Sequence, residues 1–337
     1  MNKTLKKILT FLVIVIVTFL VLYFSLKDNY EDIIHQIVTI DKRFLVLAFL
    51  LIIIYWLLKA LVMKITVRKF KNDFSFFNSL RLIIETNFFH AVTPFSSGGQ
   101  PYEIFSLKRS QLKITDATNV SIQNFIVYQI ALVILGTLAV IFNYFMHIFP
   151  SNSFLKYLVT IGFLCNLVVI IVLFIISFTK KLNKKIIRFI LIMLDKIKLI
   201  KNKEKTIQKF EKYISEFHDG AKILLQDKKS FIFMILCNFI ALSAHYLIPL
   251  VLMYGMGDLS SMNAFESIIA SAYIMMIGSF VPIPGATGGL EYAFIVFYST
   301  FITGPMLNAI MLLWRFITYY FGMILGAITL NFGRKKA

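Results

Sequence analysis

Long runs of apolar residues alternate with short polar stretches along most of this sequence. A helix needs about 20 apolar residues to cross the hydrocarbon core of a bilayer. This length predicts six full spans, at residues 5–26, 44–62, 117–147, 154–178, 231–254 and 305–332. The first run is too long for a secretory signal and no small-residue cleavage site follows it, so we expect it to be retained.

Two further apolar stretches, residues 82–97 and 264–303, are interrupted by proline and glycine. The number of full spans around them requires each stretch to begin and end on one side of the membrane. Each is therefore either a re-entrant hairpin or a pair of crossings. The length of 82–97 favours re-entry, whereas 264–303 is compatible with both. The predicted fold class is an all-α polytopic membrane protein, with one transmembrane domain over residues 1–337.

Composition agrees with a bilayer protein, since 58% of the 337 residues are hydrophobic and 15% are charged. The net charge of +18 would suggest a nucleic-acid partner in a soluble protein. However, 29 of the 35 Lys and Arg lie in segments that the spans place on one side, namely 1–7, 63–81, 101–116, 180–229 and 333–337. Basic residues near span ends stay in the cytoplasm. We therefore predict a multi-pass membrane protein with both termini cytoplasmic and no nucleic-acid partner.

The segment 180–229 is basic and has apolar residues at near-helical spacing, among them Ile207, Phe210, Ile214, Phe217 and Leu224. This pattern is typical of amphipathic helices on an anionic leaflet. A solvated cytoplasmic loop is the equally weighted alternative. In either case the segment is too short for a catalytic domain with a large core of its own.

The two interruptions share the pattern Pro-x-x-[Ser/Thr]-Gly-Gly, which starts at Pro94 and again at Pro284. Proline removes a backbone donor and glycine permits unusual dihedrals, so both helices should break here. The first break follows an inward span and the second an outward span, which predicts an inverted repeat. Broken helices at matching places in two halves indicate a transporter's substrate site. Kinks that serve packing alone are the alternative.

Polar residues accompany both breaks. Gln100 and Glu103 follow the first, Glu291 follows the second, and Arg315 lies inside the last span. A charged group at membrane depth is costly and usually faces a cavity or a partner. Glu291 and Arg315 could instead pair and only hold two helices together. The free N–H groups at the helix starts after Gly99 and Gly289 suit an anion such as a lipid phosphate.

Signals of enzymes and cofactor sites are missing from the sequence. The five His form no His-x-x-x-His pair, and Cys165 and Cys237 both fall within predicted spans. No phosphate-binding Gly-x-x-x-x-Gly-Lys-[Ser/Thr] motif occurs. We expect no catalytic residue, no metal and no cofactor in this chain.

Three motifs resemble those of the lysylphosphatidylglycerol synthase transmembrane family, also called flippase-like proteins. The first motif is Thr93, Pro94, Gly98, Gly99, Gln100 and Pro101; the second is Pro282, Pro284, Gly285, Gly288 and Glu291; the third is Trp314, Arg315, Phe316, Thr318, Tyr319 and Tyr320. The sequence departs from the family at Ile283, where Thr is common, and at Gln100, where many relatives carry Glu.

The resemblance implies a flippase that moves aminoacylated phosphatidylglycerol or another lipid-linked substrate between leaflets, as in the membrane half of the multiple peptide resistance factor. Such an activity would change envelope charge and resistance to cationic peptides, and the resemblance implies a location in the bacterial cell membrane. We expect the separate soluble synthetase domain of that factor to be absent. A phosphatidylglycerol lysyltransferase, by family name, and a non-transporting membrane scaffold are the alternatives.

We expect membrane phospholipids, anionic or aminoacylated, as partners, and leave open a homo-oligomer or an envelope enzyme. The predicted substrate-binding residues are Thr93, Pro94, Ser97, Gly98, Gly99, Gln100, Pro101, Glu103, Pro282, Pro284, Gly285, Thr287, Gly288, Gly289, Glu291, Arg315 and Tyr319.

Overall fold

Helices account for the regular structure of the protein, because the bilayer offers no water to satisfy exposed backbone groups. The computed structural model describes residues 30–149, 153–196 and 203–332, and in these ranges every regular element is helical. This confirms the predicted fold class. The predicted span 5–26 and the basic ends 1–7 and 333–337 lie outside the described residues.

In chain order the helices are α1 (Tyr30–Thr39), α2 (Lys42–Arg68), α3 (Phe76–Val92), α4 (Gly99–Arg109), α5 (Ile114–Met146), α6 (Ser153–Phe178), α7 (Lys180–Lys196), α8 (Lys203–Gln226), α9 (Lys228–Tyr246), α10 (Ile248–Gly255), α11 (Ala264–Gly278), α12 (Gly289–Tyr298), α13 (Gly304–Arg315) and α14 (Phe321–Phe332). Five stretches of the described chain are long and apolar enough to span a membrane: α2, α5, α6, α9 with α10, and α13 with α14. They match the five predicted spans after residue 30.

Two of these spans are less regular than predicted. The span 231–254 is divided at Leu247, and Pro249 occupies the first turn of α10, where its missing N–H costs nothing. The last span contains a π-helical turn at Phe316–Tyr320, between α13 and α14. Such turns often mark functional positions.

One end of the helix bundle is basic. Lys69, just after α2, forms an ion pair with Asp227, which caps α9. Lys71 Nζ donates to the carbonyl oxygen of Ser110, just after α4, at 3.0 Å. The end of α2, the end of α4 and the start of α9 therefore lie together.

The start of α2 and the ends of α5, α10 and α12 lie at the opposite end of the bundle. The Asp41 N–H donates to the Gly255 carbonyl at 2.8 Å, which joins the start of α2 to the end of α10. The ring of Phe149, beyond α5, packs against Phe297 near the end of α12 and against Phe301 beyond it.

The two interrupted stretches form helical hairpins that enter from opposite ends of the bundle. Helices α3 and α4 have 17 and 11 residues and open toward the basic end, and α11 and α12 have 15 and 10 residues and open toward the other end. Arms this short favour re-entrant hairpins over paired crossings. Their tips, the turns Pro94–Ser96 and Pro284–Ala286, contact each other. The predicted inverted arrangement is present in the structure.

The basic segment 180–229 contains the helices α7 and α8, which pack on each other, and α8 also packs on α5. Ile214 and Phe217 are buried there, while Phe210 is exposed. The location of this segment on a leaflet surface stays a prediction.

Candidate functional site

The turn of the first hairpin is held by its own side chains. Thr93 Oγ1 donates to the Phe89 carbonyl at 2.7 Å and accepts from the Gly98 N–H at 2.8 Å. The His90 ring nitrogen Nδ1 lies 2.6 Å from the Ser96 carbonyl oxygen, so this nitrogen carries the proton. A Cβ on Gly99 would lie 2.0 Å from the His90 ring, which explains the glycine at this position.

The turn of the second hairpin depends on glycine for a different reason. Gly285 has a φ of +64° and Gly288 a φ of +85°, in the left-handed region that side chains disfavour. Gly285 also faces the Tyr319 ring, which a Cβ would approach to 2.3 Å. The Gly288 N–H donates to Glu291 Oε2 at 2.7 Å, so that Glu291 caps the start of α12.

Arg315 ties this turn to the last span. Its Nε lies 2.6 Å from Glu291 Oε1, and its Nη2 donates to the Gly285 carbonyl at 2.9 Å. Its guanidinium carbon lies 4.6 Å from the centre of the Tyr319 ring. The pairing of Glu291 with Arg315, one of the two alternatives from sequence, is therefore present.

Tyr319 connects the last span to the other hairpin. Its hydroxyl donates to the carbonyl of Ala91, near the end of α3, at 3.0 Å. The π-helical turn that carries Tyr319 is thus in contact with both broken segments. Arg315 and Tyr319 together link the two hairpin tips through one span.

A cavity of about 530 Å³ lies where the two tips meet. We call it the central cavity. Both hairpins line it, along with α5, α6, α9 and the last span. Three of its polar side chains form a chain: Gln129 Nε2 donates to Asn166 Oδ1 at 3.2 Å, and Asn166 Nδ2 donates to Ser279 Oγ at 2.9 Å. The cavity can therefore hold a polar group inside an otherwise apolar bundle.

The structure distributes the predicted site residues over four places. Gly285, Arg315 and Tyr319 line the central cavity, and Gly98 and Pro101 line a second cavity of about 680 Å³ between α3, α4 and α14. Glu103 is buried against α5, where Ser121 donates to it at 2.6 Å, and it is absent from both linings. The residues in the turns and at the starts of α4 and α12 that line neither cavity are Thr93, Pro94, Ser97, Gly99, Gln100, Pro282, Pro284, Thr287, Gly288, Gly289 and Glu291.

Several lining residues were not predicted. They include Asn87, Tyr128, Gln129, Asn166, His245 and Ser279. For Asn87, Gln129 and Asn166 the sequence did contain a signal, because an amide side chain inside an apolar segment needs a polar partner there. Across the described ranges, no group of three or more His, Cys, Asp or Glu is placed to hold a metal ion.

Comparison with known proteins identifies the family of this chain. Residues 9–326 match the family described as the lysylphosphatidylglycerol synthase transmembrane region. The chain belongs to this family. A curated relative in Archaeoglobus fulgidus, a UPF0104 membrane protein, is 27% identical over 306 residues, or 87% of each chain. Membership of the lysylphosphatidylglycerol synthase transmembrane family agrees with the motifs at Thr93–Pro101, Pro282–Glu291 and Trp314–Tyr320.

Proposed function

We propose that this protein is a translocase that moves a phospholipid, anionic or aminoacylated, or another lipid-linked substrate between the two leaflets. The observation that carries the proposal is the meeting of two hairpins, which enter from opposite ends of the bundle, at one cavity. Non-helical backbone at membrane depth is tolerated where it is buried or lines a cavity. In transporters such breaks form the substrate site.

The size and lining of the cavity support a headgroup as the bound part of the substrate. A volume of about 530 Å³ falls within the usual range of about 300–1,000 Å³ for small-molecule sites. The lining combines apolar walls with Gln129, Asn166 and the Arg315 guanidinium. Amides and a guanidinium can hold a phosphodiester while acyl chains stay in the surrounding lipid. The family description supports a lipid as the substrate.

Leaflet exchange in liposomes tests the proposal. Purified protein should accelerate loss of a fluorescent phosphatidylglycerol from the inner leaflet, read by chemical bleaching of the outer leaflet. Asn166→Leu should slow this exchange by about tenfold or more, since it removes a buried amide and leaves its partners unpaired. Asn331→Leu, at an exposed amide on α14, is the matched control. Exchange no faster than in empty liposomes, over a panel of anionic and aminoacylated lipids, would refute the proposal.

The family description also favours a second candidate, synthesis of lysylphosphatidylglycerol by this chain. Incubating pure protein with lysyl-tRNA and phosphatidylglycerol separates the two. Formation of the aminoacyl lipid would establish the synthase, whereas leaflet exchange without synthesis would establish the translocase. In cells, translocation of an aminoacylated lipid should lower the negative charge of the outer leaflet and the binding of cationic peptides.

A further inference from the structure

A groove of about 610 Å³ lies between the start of α5, the end of α6 and the helices α7 and α8. We call it the outer groove. Eight of its twelve lining side chains are isoleucine or phenylalanine, and the others are Thr115, Thr118, Asn183 and Tyr213. The outer groove and the central cavity share no lining residue. The two openings are therefore separate, and the proposed function uses only the central cavity.

The apolar faces of the helices α7 and α8 form much of the wall of the outer groove. The lining residues of α8 recur every three or four positions, at Phe210, Tyr213, Ile214 and Phe217. This spacing places them on one face of the helix. Three lining side chains, Ile114, Ile186 and Phe210, are more than one-third exposed. Packing within the described chain therefore leaves part of these faces uncovered, and exposed apolar surface of this kind is typical of a binding surface.

The polar side chains in the outer groove are largely bonded to the protein itself. Thr118 Oγ1 donates to a backbone carbonyl one turn earlier at 2.7 Å, and Asn183 Nδ2 donates to the Ile176 carbonyl at 2.6 Å. Thr115 Oγ1 donates to Glu216 Oε2 at 3.4 Å. The interior of the groove therefore suits a hydrocarbon chain better than a polar headgroup.

The outer groove runs from membrane depth to the basic end of the bundle. Ile122 belongs to the span in α5, and Ile176 belongs to the span in α6. Ile114, which also lines the groove, is the first residue of α5 at the basic end. Helix α7 starts two residues after α6 ends. The groove thus lies where a membrane span passes into the basic segment.

Basic side chains lie next to the groove residues of α7 and α8. The first nine residues of α7 include five of them, Lys180, Lys181, Lys184, Lys185 and Arg188. On α8, Lys209 Nζ lies 5.8 Å from the centre of the Tyr213 ring, which lines the groove. The edge of the groove therefore carries positive charge.

Acidic side chains neutralise only part of this charge. Glu211 is shared by Lys184 and Arg188, at 3.7 and 3.1 Å. Lys185 and Lys209 are exposed, and neither forms an ion pair within the part of the chain that the structure describes. An apolar interior with unpaired positive charge at its edge is complementary to an anionic lipid, whose acyl chain is apolar and whose phosphate is negative.

We propose that the outer groove binds one anionic phospholipid of the leaflet at the basic end, with an acyl chain along the groove and the phosphate beside Lys185 and Lys209. The lipid covers the exposed apolar faces of α7 and α8 and holds both helices against α5. An acyl chain gains little by leaving one apolar medium for another, so the charge of the headgroup decides which lipid is bound. Because the outer groove is separate from the central cavity, this inference stands apart from the proposed function.

Photo-crosslinking of the full protein in liposomes tests this inference. The liposomes contain equal amounts of phosphatidylglycerol and phosphatidylethanolamine, plus a trace of one of the two lipids with a diazirine in its acyl chain. Mass spectrometry locates and counts the cross-links. The phosphatidylglycerol probe should label the groove residues of α7 and α8 several times more than the chain around Ile134, which is 40% exposed on α5 outside the groove. The phosphatidylethanolamine probe should label the groove severalfold less.

Paired variants test the groove and its lysines. Thr118→Trp places an indole in the groove and should remove most of the labelling of α8, whereas Ile134→Trp adds the same bulk outside it and should not. Lys185→Gln with Lys209→Gln should lower the preference for phosphatidylglycerol by about fivefold per lysine, which corresponds to about 1 kcal/mol for each basic residue near an anionic surface. Lys42→Gln, at an exposed lysine of the opposite end, is the matched control.

Three results would overturn the inference. Groove labelling no stronger than the labelling around Ile134 would indicate annular lipid only. Equal labelling of the groove by the two probes would contradict the selection of an anionic lipid. Cross-links between two copies of the chain that disappear in Thr118→Trp would assign the groove to a second copy. Should Thr118→Trp fail to fold, Ile186→Trp obstructs the groove from α7, and the comparison of the two probes on the wild type decides without any variant.

Discussion

Arg315 Nε lies 2.6 Å from Glu291 Oε1 in the interior of the bundle, with both side chains less than one-tenth exposed. The same arginine donates to the Gly285 carbonyl, and the same glutamate accepts from the Gly288 N–H. One ion pair thus holds the turn of the second hairpin against the last span. Its contribution to structure can be separated from any contribution to substrate binding.

Replacing only Glu291 by Leu should destabilise the protein by about 3–5 kcal/mol, because Arg315 is then buried without its carboxylate. The double variant Glu291→Leu with Arg315→Met should recover most of this loss. Unfolding in detergent measures both. Equal destabilisation by the single and double variants would contradict a structural role for the pair. Recovered stability with no leaflet exchange would assign the pair a role in transport as well.

Gly285→Ala should destabilise more than Gly304→Ala. Both glycines have positive φ, +64° and +69°, so both substitutions carry backbone strain of about 1–3 kcal/mol. A Cβ at Gly285 would also lie 2.3 Å from the Tyr319 ring, whereas nothing lies within 4 Å of a Cβ at Gly304. Thermal unfolding measures the stability of both variants. Equal losses of stability would show that the Tyr319 ring moves aside at no cost in free energy.

Tyr319→Phe removes the hydroxyl that donates to Ala91 and should cost about 1 kcal/mol. It should also weaken the link between the last span and the first hairpin, and so change the rate of leaflet exchange. Tyr292→Phe, at a side chain that is 54% exposed, serves as the control. Unfolding and exchange rates indistinguishable from this control would show that the bond at Ala91 does not contribute.

The ion pair at the basic end predicts a pH-dependent stability. The Lys69 ammonium, together with donors from Ser230, holds the pKa of the Asp227 carboxyl well below its usual range. The stabilisation is therefore present above the ordinary aspartate pKa of about 3.9 and is lost as the pH falls through the lowered value. Asp227→Asn should lower the melting temperature at neutral pH.

The difference in melting temperature between Asp227→Asn and the wild type should become smaller as the pH is lowered. Asp73→Asn is the matched control, since its ion pair with Lys71 is long, at 3.9 Å, and its side chain is 78% exposed. If the difference in melting temperature between Asp227→Asn and the wild type stays constant down to acid pH, the ion pair with Lys69 does not stabilise the protein.

The orientation inferred from basic residues can be measured by cysteine labelling. In a background without Cys165 and Cys237, a cysteine replacing Ser260 should react with an impermeant maleimide in intact cells. A cysteine replacing Asp73, exposed at the basic end, should react only after the membrane is opened. The reverse pattern would place the basic end outside.

Local signals predicted the elements of this fold well. Pro94 and Pro284, each followed by paired glycines, mark the two turns within a few residues, because proline and glycine act on the backbone at their own positions. The opposite entry of the hairpins followed from the distribution of Lys and Arg. The division at Leu247 has a local signal in Pro249, which lies inside the predicted span 231–254, whereas the π-helical turn at Phe316–Tyr320 carries no comparable signal.

The site was predicted less completely than the fold, because its contacts join distant parts of the chain. Tyr319 and the Ala91 carbonyl are 228 positions apart. No spacing rule along one helix brings such residues together. Glu103 follows the first break in sequence as Glu291 follows the second, yet it is bonded to Ser121 on α5, away from Arg315. Which face of α4 it occupies is decided by packing against α5.

The connection between Gly285, Glu291 and Arg315 also constrains how the chain is made. The first turn uses partners within its own hairpin, Thr93 and His90, so it can satisfy its polar groups as soon as α4 has been synthesised. The second turn needs a guanidinium that leaves the ribosome 30 residues after Gly285. A lone carboxylate is costly in lipid. Glu291 and Arg315 should therefore leave the insertion machinery together, with the second hairpin and the last span released as one unit.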